Sequence, residues 1–102
     1  PVESTIDNLK ITVRKLNSED VNQRKLPNQT SGLVITKIEN NSPLINSIEV
    51  NSVIIEAQKK KVKSADDLNQ IVKQVLSTNQ KTILLVVYNG ENQRRYIGVK
   101  LK

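Results

Sequence analysis

The stretch Val53-Ile54-Ile55-Glu56-Ala57-Gln58-Lys59-Lys60-Lys61-Val62-Lys63-Ser64-Ala65-Asp66-Asp67-Leu68 changes its hydrophobic period part-way, and that change decides the fold class. Val53 to Ala57 is an apolar run of the length of a buried strand, and Gln58 to Lys61 reads as a turn. Ser64 then stands as a helix N-cap. Asp66 and Asp67 lie in the first turn, with Asp67 where a capping box uses the longer Glu. Leu68, Ile71, Val72, Val75 and Leu76 follow at helical spacing and give one broad apolar stripe. A buried strand feeding a capped amphipathic helix places the chain in the mixed α+β class.

Upstream, Leu33 to Ile38 is too continuously apolar for an exposed edge and reads as a central strand. Asn40-Asn41-Ser42-Pro43 ends it, and Leu44 to Ser47 fits one helical turn with Ser42 as N-cap and Pro43 at N1. Further back, Leu9-Lys10-Ile11-Thr12-Val13-Arg14-Lys15-Leu16 alternates with period two and sets Leu9, Ile11 and Val13 on one face of a strand. Asn17 to Asp20 supply a cap and early acids, and Val21 to Leu26 fits a short helix stopped by Pro27, with Asn28 to Gly32 as a loop. Residues Pro1 to Asn8 read as a linker or a loosely held first strand. Downstream, Thr82 to Tyr88 and Gln93 to Leu101 are two β runs around the turn dipeptide Asn89-Gly90, with Ile97, Val99 and Leu101 alternating. The expectation is one domain over residues 9–102, with about five strands, one long helix and one or two short ones, and no repeats.

Composition narrows the chemistry. With 102 residues the chain is long enough for one self-sufficient core. It has no Cys, His, Met, Trp or Phe. A Ser-His-Asp or Cys-His nucleophile, a zinc site built on Cys or His, a haem ligand set and a disulfide framework are therefore excluded. No catalytic residue, metal or cofactor is expected. The acid pairs Glu19/Asp20 and Asp66/Asp67 sit where helices begin, which the unpaired donors and dipole of a helix N-terminus account for.

Charge is placed unevenly. Residues 1–51 carry six basic and six acidic side chains and residues 52–102 carry ten and four, so the whole excess of +6 lies in the second half. The run Lys59, Lys60, Lys61, Lys63 with Arg94 and Arg95 admits a nucleic-acid reading. With Tyr88 and Tyr96 as the only aromatics, stacking platforms for single strands are scarce. A solvated turn is the simpler account, and no nucleic-acid partner is expected. No run approaches the roughly eighteen apolar residues of a membrane span. The sequence begins at Pro1 without Met, from which the expectation is a piece of a longer protein.

Several stretches fall in an ordered set. Leu9-Lys10-Ile11 opens the first strand, Gly32-Leu33-Val34-Ile35 the second, and Asn41-Ser42-Pro43 stands four residues before Ser47-Ile48. Val53-Ile54-Ile55-Glu56-Ala57, Ser64-Ala65-Asp66-Asp67-Leu68 and the closing hairpin complete it. In this order and spacing the chain resembles, over nearly its whole length, a PDZ domain of the bacterial arrangement, especially those of HtrA-type (Deg/Do family) serine proteases. Three customary glycines are replaced: Lys10 in the carboxylate-binding loop, Asn51-Ser52 where the family favours Gly-Asp, and Gln58-Lys59 where it favours Asn-Gly. Asn adopts a left-handed backbone readily, whereas Lys10 has a Cβ that opposes it.

The resemblance implies a PDZ-like, partly open β-barrel or sandwich and a function by β-augmentation, in which an extended ligand, often a free C-terminus, adds a strand along Ile11 to Leu16 and lies against the long helix. The carboxylate would be met by backbone N–H groups of Leu9, Lys10 and Ile11, assisted by the charge of Lys10 or Arg14. The groove would be lined by Thr12, Val13, Arg14, Ala65, Asn69 and Val72, with Leu68, Ile71 and Val75 turned to the core. Its aliphatic pocket would take small or medium apolar last residues at micromolar affinity, about −8 kcal/mol. A charge at Ile11 is expected to abolish binding and spare the fold. Without the resemblance, Leu9, Ile11, Val13 and Val72 read simply as core, and Lys10 and Arg14 as edge charges that discourage aggregation.

Two functions are carried forward. The first is a non-catalytic module binding peptides of unfolded, substrate or regulatory proteins, beside the protease domain of a serine endopeptidase engaged in protein quality control. The second is a structural PDZ domain making subunit contacts in an oligomeric cage. The resemblance places the parent in a bacterial periplasm or cell envelope.

Overall fold

The computed structural model describes residues 3–26, 30–78, 82–89 and 93–100. In chain order they form β1 (Glu3–Ile6), β2 (Ile11–Lys15), α1 (Ser18–Arg24), β3 (Leu33–Ile38), β4 (Val53–Ala57), β5 (Lys60–Lys61), α2 (Ala65–Ser77), β6 (Thr82–Tyr88) and β7 (Arg94–Lys100). Every strand pairing is antiparallel, in one sheet of order β1-β2-β3-β4-β6-β7 with β5 attached to β4. The class is α+β, as the change of period indicates.

The continuous apolar runs in β3 and β4 arise because both faces of the sheet are covered. Leu33, Ile35 and Ile54 face α2 and join Leu68, Ile71, Val72 and Val75 in the main core. Val34, Val53 and Ile55 face the other way and pack with Leu16, Leu26 and Val86, with Val21 of α1 against them. Gly32 sits where the chain enters β3, and a Cβ there would lie 2.6 Å from the Ile54 carbonyl oxygen. Close backbone approach, rather than an unusual dihedral, reserves that position for glycine.

The strands exceed the expected five by β1 and β5. β1 has a single apolar residue, Ile6, so no alternation marks it. β5 is two exposed lysines placed opposite Glu56 and Ala57 by a turn whose central residues Gln58 and Lys59 both have positive φ, 52° and 67°.

The first helix starts three residues earlier than the apolar pattern indicates, because Asn17 and Asp20 close a capping box: Asn17 Oδ1 accepts from Asp20 N at 2.8 Å, and Asp20 Oδ2 from Asn17 N at 3.0 Å. It ends at Arg24, where Lys25 turns left-handed at φ 56°. The expected stop, Pro27, lies outside the described residues, as do Gly90 of the last turn and Leu101 of the last alternation. Leu44 to Ser47 makes successive turns rather than a helix. The Leu44 N–H is taken by Ser42 Oγ at 3.1 Å, and Ser47 N and Ile48 N both donate to the Leu44 carbonyl. α2 is capped by Ser64 as expected, but Asp67 Oδ2 accepts from Lys63 N, one residue before the cap.

Candidate functional site

α2 packs against β1 and β2, and the loop 7–10 lies between those two strands. Of the residues expected to meet a carboxylate, Leu9 and Lys10 direct their N–H groups to one acceptor, the carbonyl oxygen of Ile6, at 3.1 and 2.7 Å. Lys10 takes φ 55°, so the loop keeps a left-handed residue at this position despite the Cβ. The loop is pinned from behind. The Leu9 carbonyl accepts from Ser42 Oγ at 2.6 Å, and the Lys10 carbonyl accepts from Glu39 N at 3.0 Å. Ser42 is 3% exposed and uses its hydroxyl both as donor to Leu9 and as acceptor from Leu44.

Leu9, Ile11 and Val13 share one buried cluster with Val72. Ala65 is half-buried against that cluster, and Asn69 is half-buried on the same helix. Thr12 points to the other face, and its carbonyl accepts from Thr36 Oγ1 at 3.2 Å. Because Ile11 is as buried as any core residue, a charge there would break the fold along with any binding. A cavity of about 240 Å³ opens between Ser4, the Val13 to Lys15 end of β2 and the first turn of α2 at Ser64 to Asp66.

Arg14 does not extend a free charge into the groove. Its guanidinium grips the Asp20 carboxylate through two bonds, Nη1 to Oδ2 at 2.6 Å and Nη2 to Oδ1 at 2.8 Å, and Asp20 is 7% exposed. That bidentate bond raises the Arg14 pKa, with the nearby charges of Asp20 and Glu3 adding to it. The same bond, helped by the Asn17 N–H, holds the Asp20 carboxyl below its ordinary range.

Reading the sequence missed three residues that matter here: Ile6, Ser42 in its role behind the loop, and Asp20 as the partner of Arg14. Asp7-Asn8, a pair of turn formers between Thr5-Ile6 and Leu9, was the available signal for a β1–β2 hairpin. β1 pairs with β2 along the very edge expected to receive a ligand, with partners Glu3↔Arg14, Ser4↔Val13, Thr5↔Thr12 and Ile6↔Ile11.

No protein-family model and no curated protein matches the sequence. Solved structures do. The HtrA-type protease AlgW with decapeptide superposes with a TM-score of 0.67 at 20% identity, over 90% of this chain and 27% of that one. The HtrA3 PDZ domain bound to a phage-derived ligand gives a TM-score of 0.61 at 17% identity, over 97% of this chain and 82% of that one. This chain thus spans about a quarter of the AlgW chain and about four-fifths of the HtrA3 domain, and it has the fold of a PDZ domain.

Proposed function

We propose that this chain is a non-catalytic PDZ module of an HtrA-type serine protease that captures substrate or regulatory peptides by β-augmentation. The observation that carries the reading is the convergence of the Leu9 and Lys10 N–H groups on one oxygen, that of Ile6, beside the aliphatic cluster that β2 and α2 bury together. A peptide C-terminus would offer a carboxylate oxygen there and an apolar side chain to Leu9, Ile11, Val13 and Val72, with main-chain bonds supplying the remaining affinity. Both matched structures are described with peptide ligands, which supports the same reading. The protease domain, neighbouring subunits and a periplasmic or cell-envelope location belong to this proposal.

The test is an amide chemical-shift titration with a short peptide ending in Val or Ala, run as the free acid and as the amide. Shifts confined to Leu9 to Leu16 and Ala65 to Val72, and lost with the amide, are expected; silence to millimolar peptide refutes capture. A second reading, subunit contact within an oligomeric cage, is favoured by β7. That strand ends the sheet order and carries Tyr96 65% exposed with the Arg94 guanidinium 5.6 Å from its ring centroid. A molar mass that rises with concentration in sedimentation and falls with Tyr96→Lys would support it.

A further inference from the structure

We propose that Glu3-Ser4-Thr5-Ile6 is a resident ligand of the groove, and that any incoming strand must displace it. The inference rests on the peptide-binding reading above and names both the regulation of the site and the class of peptide it takes.

β1 runs antiparallel to β2, the direction in which an external strand ending at the loop would run. Its last residue, Ile6, is 0% exposed and shares the cluster of Leu9, Ile11, Leu68 and Val72, so it fills the place of a ligand's last side chain. Its carbonyl oxygen takes the Leu9 and Lys10 N–H groups, so it also fills the place of one carboxylate oxygen. Ser4, two residues earlier on the same face, lines the cavity beside Ala65.

The hold is incomplete. Glu3 and Thr5 are exposed, Ser4 is half-buried, and Ile6 is the one buried side chain that anchors the strand beside its pairing with β2. A neutral carbonyl also binds the loop amides less strongly than a carboxylate, whose hydrogen bonds are charge-assisted. What favours β1 is its tether: linked through residues 7–10, it competes at an effective concentration on the order of millimolar. The preferred ligand is thus a free C-terminus with a branched aliphatic last residue and a small residue two places before it.

The chain has no Cys, so Thr5→Cys with Thr12→Cys, opposed on the outer face, locks β1 onto β2 when oxidised. The probe is a fluorescein-labelled peptide ending in Glu-Ser-Thr-Ile with a free carboxylate, followed by polarisation. The reduced double variant is expected to bind and the oxidised form to lose at least tenfold in affinity. Ile6→Asp, which expels the anchor, is expected to bind at least tenfold more tightly than the unaltered chain; should that variant not fold, the lock decides. Equal binding by oxidised and reduced forms overturns the resident strand and leaves the groove reading standing. No binding by any form to millimolar peptide overturns both.

Discussion

The three positions where the PDZ domains that the sequence resembles customarily carry glycine are here Lys10, Asn51 and Lys59, with φ 55°, 77° and 67°. The left-handed geometry is kept without the residue that makes it easy, at about 1–2 kcal/mol for each residue with a Cβ, less for Asn. Gln58, also left-handed at φ 52°, has compensation: its N–H donates to the Leu84 carbonyl at 2.7 Å and its Oε1 accepts from Leu84 N at 2.8 Å. Lys59→Gly is expected to stabilise the domain by up to about 1 kcal/mol, raising Tm by roughly 4–8 °C, as a thermal melt will read. Asp20 gives a second residue-scale outcome. Its carboxyl pKa is depressed in the fold, so its contribution is complete above the ordinary carboxylate value near 4 and is lost as pH falls through the lower, folded value. Asp20→Asn is expected to lower stability by about 1–3 kcal/mol at neutral pH and to flatten the acid limb of a stability-against-pH curve from urea unfolding.

Among elements, those with an internal signal were legible. The Val53 to Ala57 strand, the Ser64 cap, the α2 stripe and Thr82 to Tyr88 stand as the residues indicate, because period and capping are local properties. β1 was legible only as a linker or a loosely held first strand, since one isoleucine among three polar residues carries no period and its pairing is decided by β2 and α2. The site residues followed the same rule. Helical spacing set Ala65, Asn69 and Val72 along one side of α2, where Val72 is buried in one cluster with Leu68, Ile71 and Val75, whereas the engagement of Arg14 by Asp20 joins two elements and leaves no mark in either. The turn after β3 acts on the loop 7–10 through the Glu39 N–H and the Ser42 hydroxyl. Ser42→Ala strands the buried Leu9 carbonyl and the Leu44 N–H, with an expected loss of about 1–3 kcal/mol in urea unfolding and amide shift changes centred on Leu9 and Lys10.

Over the whole molecule, the described basic residues of the second half lie on outward positions. Lys59, Lys60, Lys61 and Lys63 are exposed about the β4–β5 turn, and Arg94 of β7 reaches across β6 to pair with Glu56 of β4 at 2.9 Å. The proposed groove would be lined by aliphatic side chains and backbone amides, so peptide affinity is expected to change little with ionic strength. Neutralising six phosphates would instead make affinity for an oligonucleotide fall about a thousandfold between 50 and 200 mM salt. A salt series on both ligands separates the two, and a steep fall for the peptide would shift the binding surface to the lysines. The hairpin has a mechanical consequence as well. Its closed end lies at residues 7–10 and its open end at the Glu3↔Arg14 pair, so tension applied at Glu3 across the strands loads the four residue pairs one after another, from Glu3↔Arg14 to Ile6↔Ile11. Strands loaded in this way unzip, whereas strands pulled along their length must shear every bond together, and a domain built so gives up its first strand to a weak pull while the rest of its sheet stays whole.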